Sequence, residues 1–187
     1  MSTDSVSLKL VFKVVIIGDS GVGKTTLIKR FTQNTFQGDY ISTFGAQFSI
    51  YHEIVEGDDC KLFFWDLAGQ SEFAAFRSKF YQDSNAGIIV YSLENNNFGR
   101  TSFQNVPRWH DEVRKQCGDI PIILFANKTD LIDEKQIAQS AIEKLLLKHH
   151  FLGASNTSAK TGKGVQEGFQ AIIRLLHKNK KTQLQKT

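Results

Sequence analysis

Gly18-Asp19-Ser20-Gly21-Val22-Gly23-Lys24-Thr25 stands between FKVVII at 12–17 and TLIKRFT at 26–32. The first flank is an apolar, β-branched run of the kind that forms a buried strand, and the second has the spacing of a helix start. The octapeptide fits G-x-x-x-x-G-K-[ST] in the strand-to-helix context that this pattern requires. The glycines let the backbone curl so that successive N–H groups face one point, aided by the positive end of the helix. Such a point takes phosphate. Asp19, Ser20, Gly21, Val22, Gly23, Lys24, Thr25 and Thr26 are the candidate phosphate-binding residues. The Lys24 amine would reach the terminal phosphates, and the Thr25 hydroxyl would serve Mg²⁺.

Outward from this loop, apolar runs alternate with amphipathic ones. Strands are expected near 10–17, 46–55, 60–66, 86–92, 120–126 and 151–155, and helices near 24–33, 72–82, 101–117, 135–149 and 164–179. This alternation gives an α/β doubly wound fold with a mostly parallel six-stranded sheet and helices on both faces. Only Glu56-Gly57-Asp58-Asp59 separates two of the strands, a hairpin signal that makes one edge strand antiparallel. The 187 residues suit one domain, and 41% hydrophobic with 22% charged residues is ordinary globular composition.

Asn127-Lys128-Thr129-Asp130 follows the apolar run 120–125, so it sits at a strand's carboxyl end, where open α/β sheets bind ligands. A carboxylate there can accept hydrogen bonds from the N1–H and 2-amino group of guanine, whereas adenine offers neither. Sites built this way discriminate by roughly 10⁴–10⁵. Thr157-Ser158-Ala159-Lys160 would back the guanine from the other side. Between these motifs, Asp66-Leu67-Ala68-Gly69-Gln70 also follows a strand. Asp66 would hold Mg²⁺, Gly69 would bring an N–H to a γ-phosphate, and Gln70 would orient an attacking water. The polar segment 39–45 is placed to fold over the nucleotide, with Thr43 giving a second hydroxyl to the metal.

With GDSGVGKT, Thr43, DLAGQ, NKTD and TSAK in this order, the chain resembles the Ras-superfamily small GTPases over residues 8–178. Within them it is most similar to the Rab and Ran branches, the former through GDSGVGKTTLIKRF and DYISTFG, the latter through 105–131. The resemblance implies a P-loop NTPase G domain at 8–178, after a flexible 1–7 and before a basic, disordered 179–187. It implies GTP and GDP as substrate and ligand, Mg²⁺ as cofactor, and a slow hydrolysis in which Gln70, Lys24 and Thr43 act. Phe36 falls where the family packs an aromatic ring against guanine, alongside Asn127, Lys128, Asp130, Ser158, Ala159 and Lys160. Phe48, Trp65 and Phe80 match the aromatic triad that Rab proteins present to effectors, and Phe44 lies in the effector loop where isoleucine is usual. Effector, exchange-factor and GTPase-activating proteins are the implied partners. Leu67 replaces the family's usual threonine, and Ser71-Glu72 follows Gln70 in place of an immediate glutamate. A GTP-bound scaffold that hardly hydrolyses is the alternative function, and Gln70 argues against it. An ATP-using P-loop kinase is opposed by Asn127 and Asp130.

The net charge of +4 raises a nucleic-acid partner, but much of the excess sits in the stretch 178–186, which reads as a solvated tail. Basic residues contribute only about 1 kcal/mol each at a membrane surface. Neither a carboxyl-terminal cysteine nor a glycine after Met1 offers a lipid anchor, and a signal peptide or transmembrane run is not visible. The expectation is a cytoplasmic monomer without nucleic acid. Cys60 and Cys117 read as free thiols of a reducing compartment. His149 and His150, adjacent on a helix, point different ways and are a poor chelating pair. Arg77 is the nearest candidate for a built-in arginine finger, with a surface role expected for it instead.

Overall fold

Val14, Val15, Ile16 and Ile17 are all fully buried in β1 (Lys9–Ile17), the strand around which the sheet is built. Burial on both faces is what a continuous β-branched run without polar alternation requires. The computed structural model describes residues 7–32, 40–43, 46–69 and 74–186. After β1 come α1 (Lys24–Thr32), β2 (Tyr40–Thr43), β3 (Ala46–Val55), β4 (Asp58–Leu67) and α2 (Ala74–Tyr81). Then follow β5 (Ala86–Ser92), α3 (Asn97–Gln104), α4 (Val106–Cys117), β6 (Ile122–Asn127), α5 (Gln139–His149), β7 (Gly153–Thr157) and α6 (Val165–Leu184).

The sheet order is β2-β3-β4-β1-β5-β6-β7. Strand β3 runs antiparallel to β2 and β4, and the other neighbours are parallel. On one face Val14, Ile16, Phe64 and Ile88 pack with Leu27 and Phe31 of α1 and Phe169 of α6. Phe31 stacks on Phe169 at 4.4 Å and meets Phe64 edge-on at 5.7 Å. On the other face Val15, Ile17, Leu67 and Ile89 pack with Trp109 and Val113 of α4 and Ile142 of α5. From β1 the chain turns to one side of the sheet and from β5 to the other, which opens a crevice at their carboxyl ends. Among the described residues, no helix is long and apolar enough to cross a membrane.

The six expected strands are present, and a seventh, β2, lies outside β3 with Tyr40 opposite Ser49 and Thr43 opposite Ala46. The antiparallel strand is therefore one place in from the edge. Four residues held by a ladder to one neighbour leave little hydrophobic pattern to read. The expected helix 101–117 is two helices that meet at Asn105, because Pro107 has no N–H to continue the ladder. Helix α3 starts early, with Asn96 capping the Gly99 N–H at 2.9 Å. Helix α6 runs on to Leu184, so most of the stretch taken for a disordered tail is helical. Residues 1–6 of the expected flexible N-terminus lie outside the described residues.

The extension of α6 has an anchor in Asp58, buried at the start of β4. Its carboxylate accepts from Lys181 Nζ at 2.8 Å and from the Leu8 N–H at 2.9 Å, and His177 Nε2 lies 2.8 Å away. The Lys181 hydrogen bond, followed by those of Leu8 and His177, holds this carboxyl far below the usual range. A depressed folded value gives stability that is fully present above the unfolded pKa of about 3.9 and drains away as pH falls below it. Asp58→Asn should therefore lower the thermal unfolding temperature at neutral pH, with the gap to the parent protein closing in acid. A gap that stayed constant through the acid range would show that the charge of Asp58 is not what anchors α6.

Candidate functional site

The loop 18–23 leaves β1 at the crevice, and α1 begins at Lys24 with the Leu27 N–H donating to Gly23 O at 2.9 Å. Gly23 has φ +100°, and a Cβ on it would lie 2.4 Å from Asn127 Nδ2, so both its conformation and its neighbour demand glycine. Gly69 comes equally close from the other side. A Cβ there would meet Gly18 O at 2.3 Å and Ser20 N at 2.7 Å, which sets the DLAG backbone directly on the loop.

Lys24 is buried, and its ammonium donates to Gly18 O at 3.0 Å and Asp19 O at 2.9 Å. Burial lowers its pKa, opposed by the charges of Asp66 and Asp19. The Thr25 hydroxyl donates to Asp66 Oδ2 at the end of β4. Burial raises the Asp66 pKa, and the Thr25 hydrogen bond and Lys24 charge work against that rise. A hydroxyl and a buried carboxylate touching at the head of a helix form a hard-oxygen donor set of the kind Mg²⁺ takes, so these residues fit the expected metal. Thr43 ends β2, with its backbone opposite Ala46. Ser20, Gly21 and Thr26 are exposed along the loop and the first turn of α1, while Val22 is buried.

At the far end of the crevice, Asn127 is 1% exposed and uses both ends of its amide. Its Nδ2 donates to Val22 O at 2.8 Å, and its Oδ1 accepts from Ala159 N at 3.1 Å and Thr157 Oγ1 at 3.3 Å. It thereby fastens the loop after β1 to the segment after β7. Asp130, exposed in the short 3-10 turn Thr129–Leu131, accepts from Ser158 Oγ at 2.6 Å, and Ser158 Oγ accepts in turn from Thr161 N at 3.1 Å. Lys128 takes a left-handed conformation and pairs with Glu94 at 2.7 Å, a hydrogen bond that holds the Glu94 carboxyl below its usual range. The Lys160 side chain is exposed. Phe36, Phe44 and Gln70 lie outside the described residues.

Two expectations change. Asp19 keeps its side chain out of the loop, accepting from Asn105 Nδ2 at 2.7 Å and Trp109 Nε1 at 2.8 Å, with Arg108 at 3.7 Å. Arg77, expected at the surface, is 4% exposed. It forms a two-point ion pair with Glu112 at 2.8 and 3.2 Å and donates to Ala68 O at 3.0 Å. The sequence did carry a signal for α4, since Asn105, Trp109 and Glu112 recur at helical spacing and share one face. The three aromatic residues Phe48, Trp65 and Phe80 form one half-buried row on the sheet face beside α2. Phe48 stacks on Trp65 at 5.1 Å, and Trp65 lies 5.6 Å from Phe80.

Residues 13–178 match the model of the Ras family. Among curated proteins the chain is 35% identical to the GTP-binding protein ypt3 of Schizosaccharomyces pombe, over 87% of this chain and 74% of that protein. It is 38% identical to the Ras-related protein RGP2 of Oryza sativa over 87% and 73%. It is also 36% identical to the Ras-related protein Rab-1D of Dictyostelium discoideum over 94% and 84%. These names fall on the Rab side of the expected resemblance.

Asn127→Ala strips the partners from a buried carbonyl, a hydroxyl and an N–H at once. The variant should lose on the order of 1–3 kcal/mol in urea unfolding. An unchanged midpoint would mean that the loops hold together without the amide.

Proposed function

The chain belongs to the Ras family, and on that premise we propose which of its residues run the nucleotide cycle. It is a small GTPase, a molecular switch that binds GTP and GDP with Mg²⁺ and hydrolyses GTP, and that meets regulators and effectors. Its likeness to Rab and Ypt proteins supports a role in intracellular transport, which we include in the proposal.

The loop N–H groups of Gly21, Val22, Gly23, Lys24 and Thr25 receive the phosphate oxygens. The Asp19, Ser20 and Thr26 backbones complete that cradle. The Lys24 ammonium, already within the loop, has N–H capacity beyond the two carbonyls it serves and turns it to the terminal phosphates. Thr25, Thr43 and Asp66 hold Mg²⁺, which when bound neutralises charge on the phosphate oxygens. Gln70 orients the water that attacks the γ-phosphorus in line with the leaving GDP oxygen. The Gly69 N–H and Thr43 respond to the γ-phosphate, so that the segments around them are ordered in one nucleotide state and released in the other. Asp130 accepts from N1–H and the 2-amino group of guanine, with lone pairs that Ser158 leaves available. Asn127, Lys128, Ala159, Lys160 and Phe36 shape the base pocket around it. Phe44, Phe48, Trp65 and Phe80 form the effector surface.

The observation that best supports this assignment is the Asn127 amide. It joins the phosphate loop to the TSAK segment in one rigid unit, as a site that must grip both ends of a nucleotide requires. Without an arginine supplied by a partner, turnover should be slow, on the order of 10⁻⁴ to 10⁻² s⁻¹. Single-turnover hydrolysis with bound nucleotide read by chromatography tests the assignment. Gln70→Leu should keep GTP affinity while turnover drops by more than about tenfold, and unchanged turnover would remove Gln70 from the mechanism. Asp130→Asn should reduce the preference for guanine over adenine nucleotides by about a hundredfold or more. Retained selectivity would place base recognition elsewhere.

A further inference from the structure

We propose that Trp109 of α4 is a positioning residue for the phosphate site: its indole N–H keeps the Asp19 carboxylate turned away from the nucleotide, while its ring seats the arginine that holds the DLAG backbone. This rests on the phosphate-site assignment above. A loop that receives a triphosphate through N–H groups is a poor place for a free carboxylate, because like charges repel strongly in a partly dry site. Asp19 nonetheless sits in that loop. Both of its oxygens are engaged from the α3–α4 junction, Oδ2 by Asn105 Nδ2 at 2.7 Å and Oδ1 by Trp109 Nε1 at 2.8 Å. The exposed guanidinium of Arg108 adds positive charge 3.7 Å from Oδ1. Hydrogen bonds of this kind, accepted by a carboxylate, fix its direction.

The same indole, 1% exposed and so fixed in place, carries the Arg77 guanidinium 5.0 Å from its ring centre. Arg77 is closed on the other side by Glu112, one helical turn from Trp109, and Glu112 also accepts from Tyr81 at 2.9 Å. The remaining arm of Arg77 holds Ala68 O, adjacent to Gly69, whose backbone rests on Gly18 and Ser20. One side chain of α4 thus steadies the two segments that must close on the γ-phosphate, by an N–H on one and a ring on the other. Neither link uses a residue that touches the base.

The consequence is selective for the third phosphate. Trp109→Phe keeps an aromatic ring under Arg77 but frees an Asp19 oxygen to approach the nucleotide. Because the repulsion grows with nucleotide charge, affinity for a non-hydrolysable GTP analogue should fall by about tenfold more than affinity for GDP. Adding Asp19→Asn to Trp109→Phe should restore the ratio, since an amide carries no charge to repel. Displacement of a fluorescent GDP from the purified full chain measures both affinities, with thermal unfolding run beside it. If Trp109→Phe does not fold, 3-benzothienylalanine placed at position 109, which keeps the shape of the indole without its N–H, carries the same expectation and the same rescue by Asp19→Asn. An unaltered ratio in variants that fold, or a deficit that persists after Asp19→Asn, would overturn the role of Trp109 while leaving the phosphate site intact. Failure of the parent protein to bind guanine nucleotides would overturn both.

Discussion

A buried primary amide offers one acceptor oxygen and two N–H groups, and Asn127 commits its oxygen and one N–H to loops that are far apart in sequence. Its bonds run to Val22, Thr157 and Ala159, so the ends of β1, β6 and β7 are tied at one point. The constraint propagates. Gly23 must be glycine because the amide occupies the space a Cβ would need, and Val22 must point its carbonyl inward to receive the amide N–H. The shape of the loop that we propose as the phosphate cradle depends on this amide.

The same principle governs the charges. Lys24, Asp66, Arg77 and Asp58 are all buried, a costly state for an ionised group unless each is met by hydrogen bonds or opposite charge. Lys24 is met by loop carbonyls, Asp66 by Thr25, Arg77 by Glu112, and Asp58 by Lys181 and His177. These four settle differently. Asp58 and Arg77 are closed by partners with full opposite charge and act as fasteners. Lys24 and Asp66 are met mainly by neutral groups, and burial pushes both towards their uncharged forms. The proposed phosphate and Mg²⁺ site draws on that second pair, where a polyanion and a divalent cation would each relieve the cost.

What the sequence made legible was local. β5 and β6 are buried at every position, and their apolar runs read directly as strands. The glycines and the lysine of the loop lie within eight residues of one another, and each motif follows the strand that presents it. What was not legible depends on distance. The Arg77 side chain is internal because Glu112, 35 residues on, closes it, and no property of the segment around Arg77 announces that. The Asp19 carboxylate looks free to act in the loop until its partners 86 and 90 residues away are seen. The basic stretch after Lys178 has the composition of a tail, and becomes helix because Lys181 finds Asp58 across 123 residues. Strand β2 is the opposite failure, with four residues too few to show a pattern.

The break between α3 and α4 unites these points. Pro107 was visible from the outset, yet its effect is geometric: it ends one helix at Asn105 and begins the next so that Asn105, Trp109 and Glu112 present one face to the crevice. Trp109 on that face reaches both Asp19 and Arg77. The apolar side of α4, through Val113 and the body of Trp109, is anchored in the core beneath β5. Its polar edge is thereby as rigid as the sheet. A helix without a residue in any of the nucleotide motifs thus fixes the side chains on which two of those motifs lean.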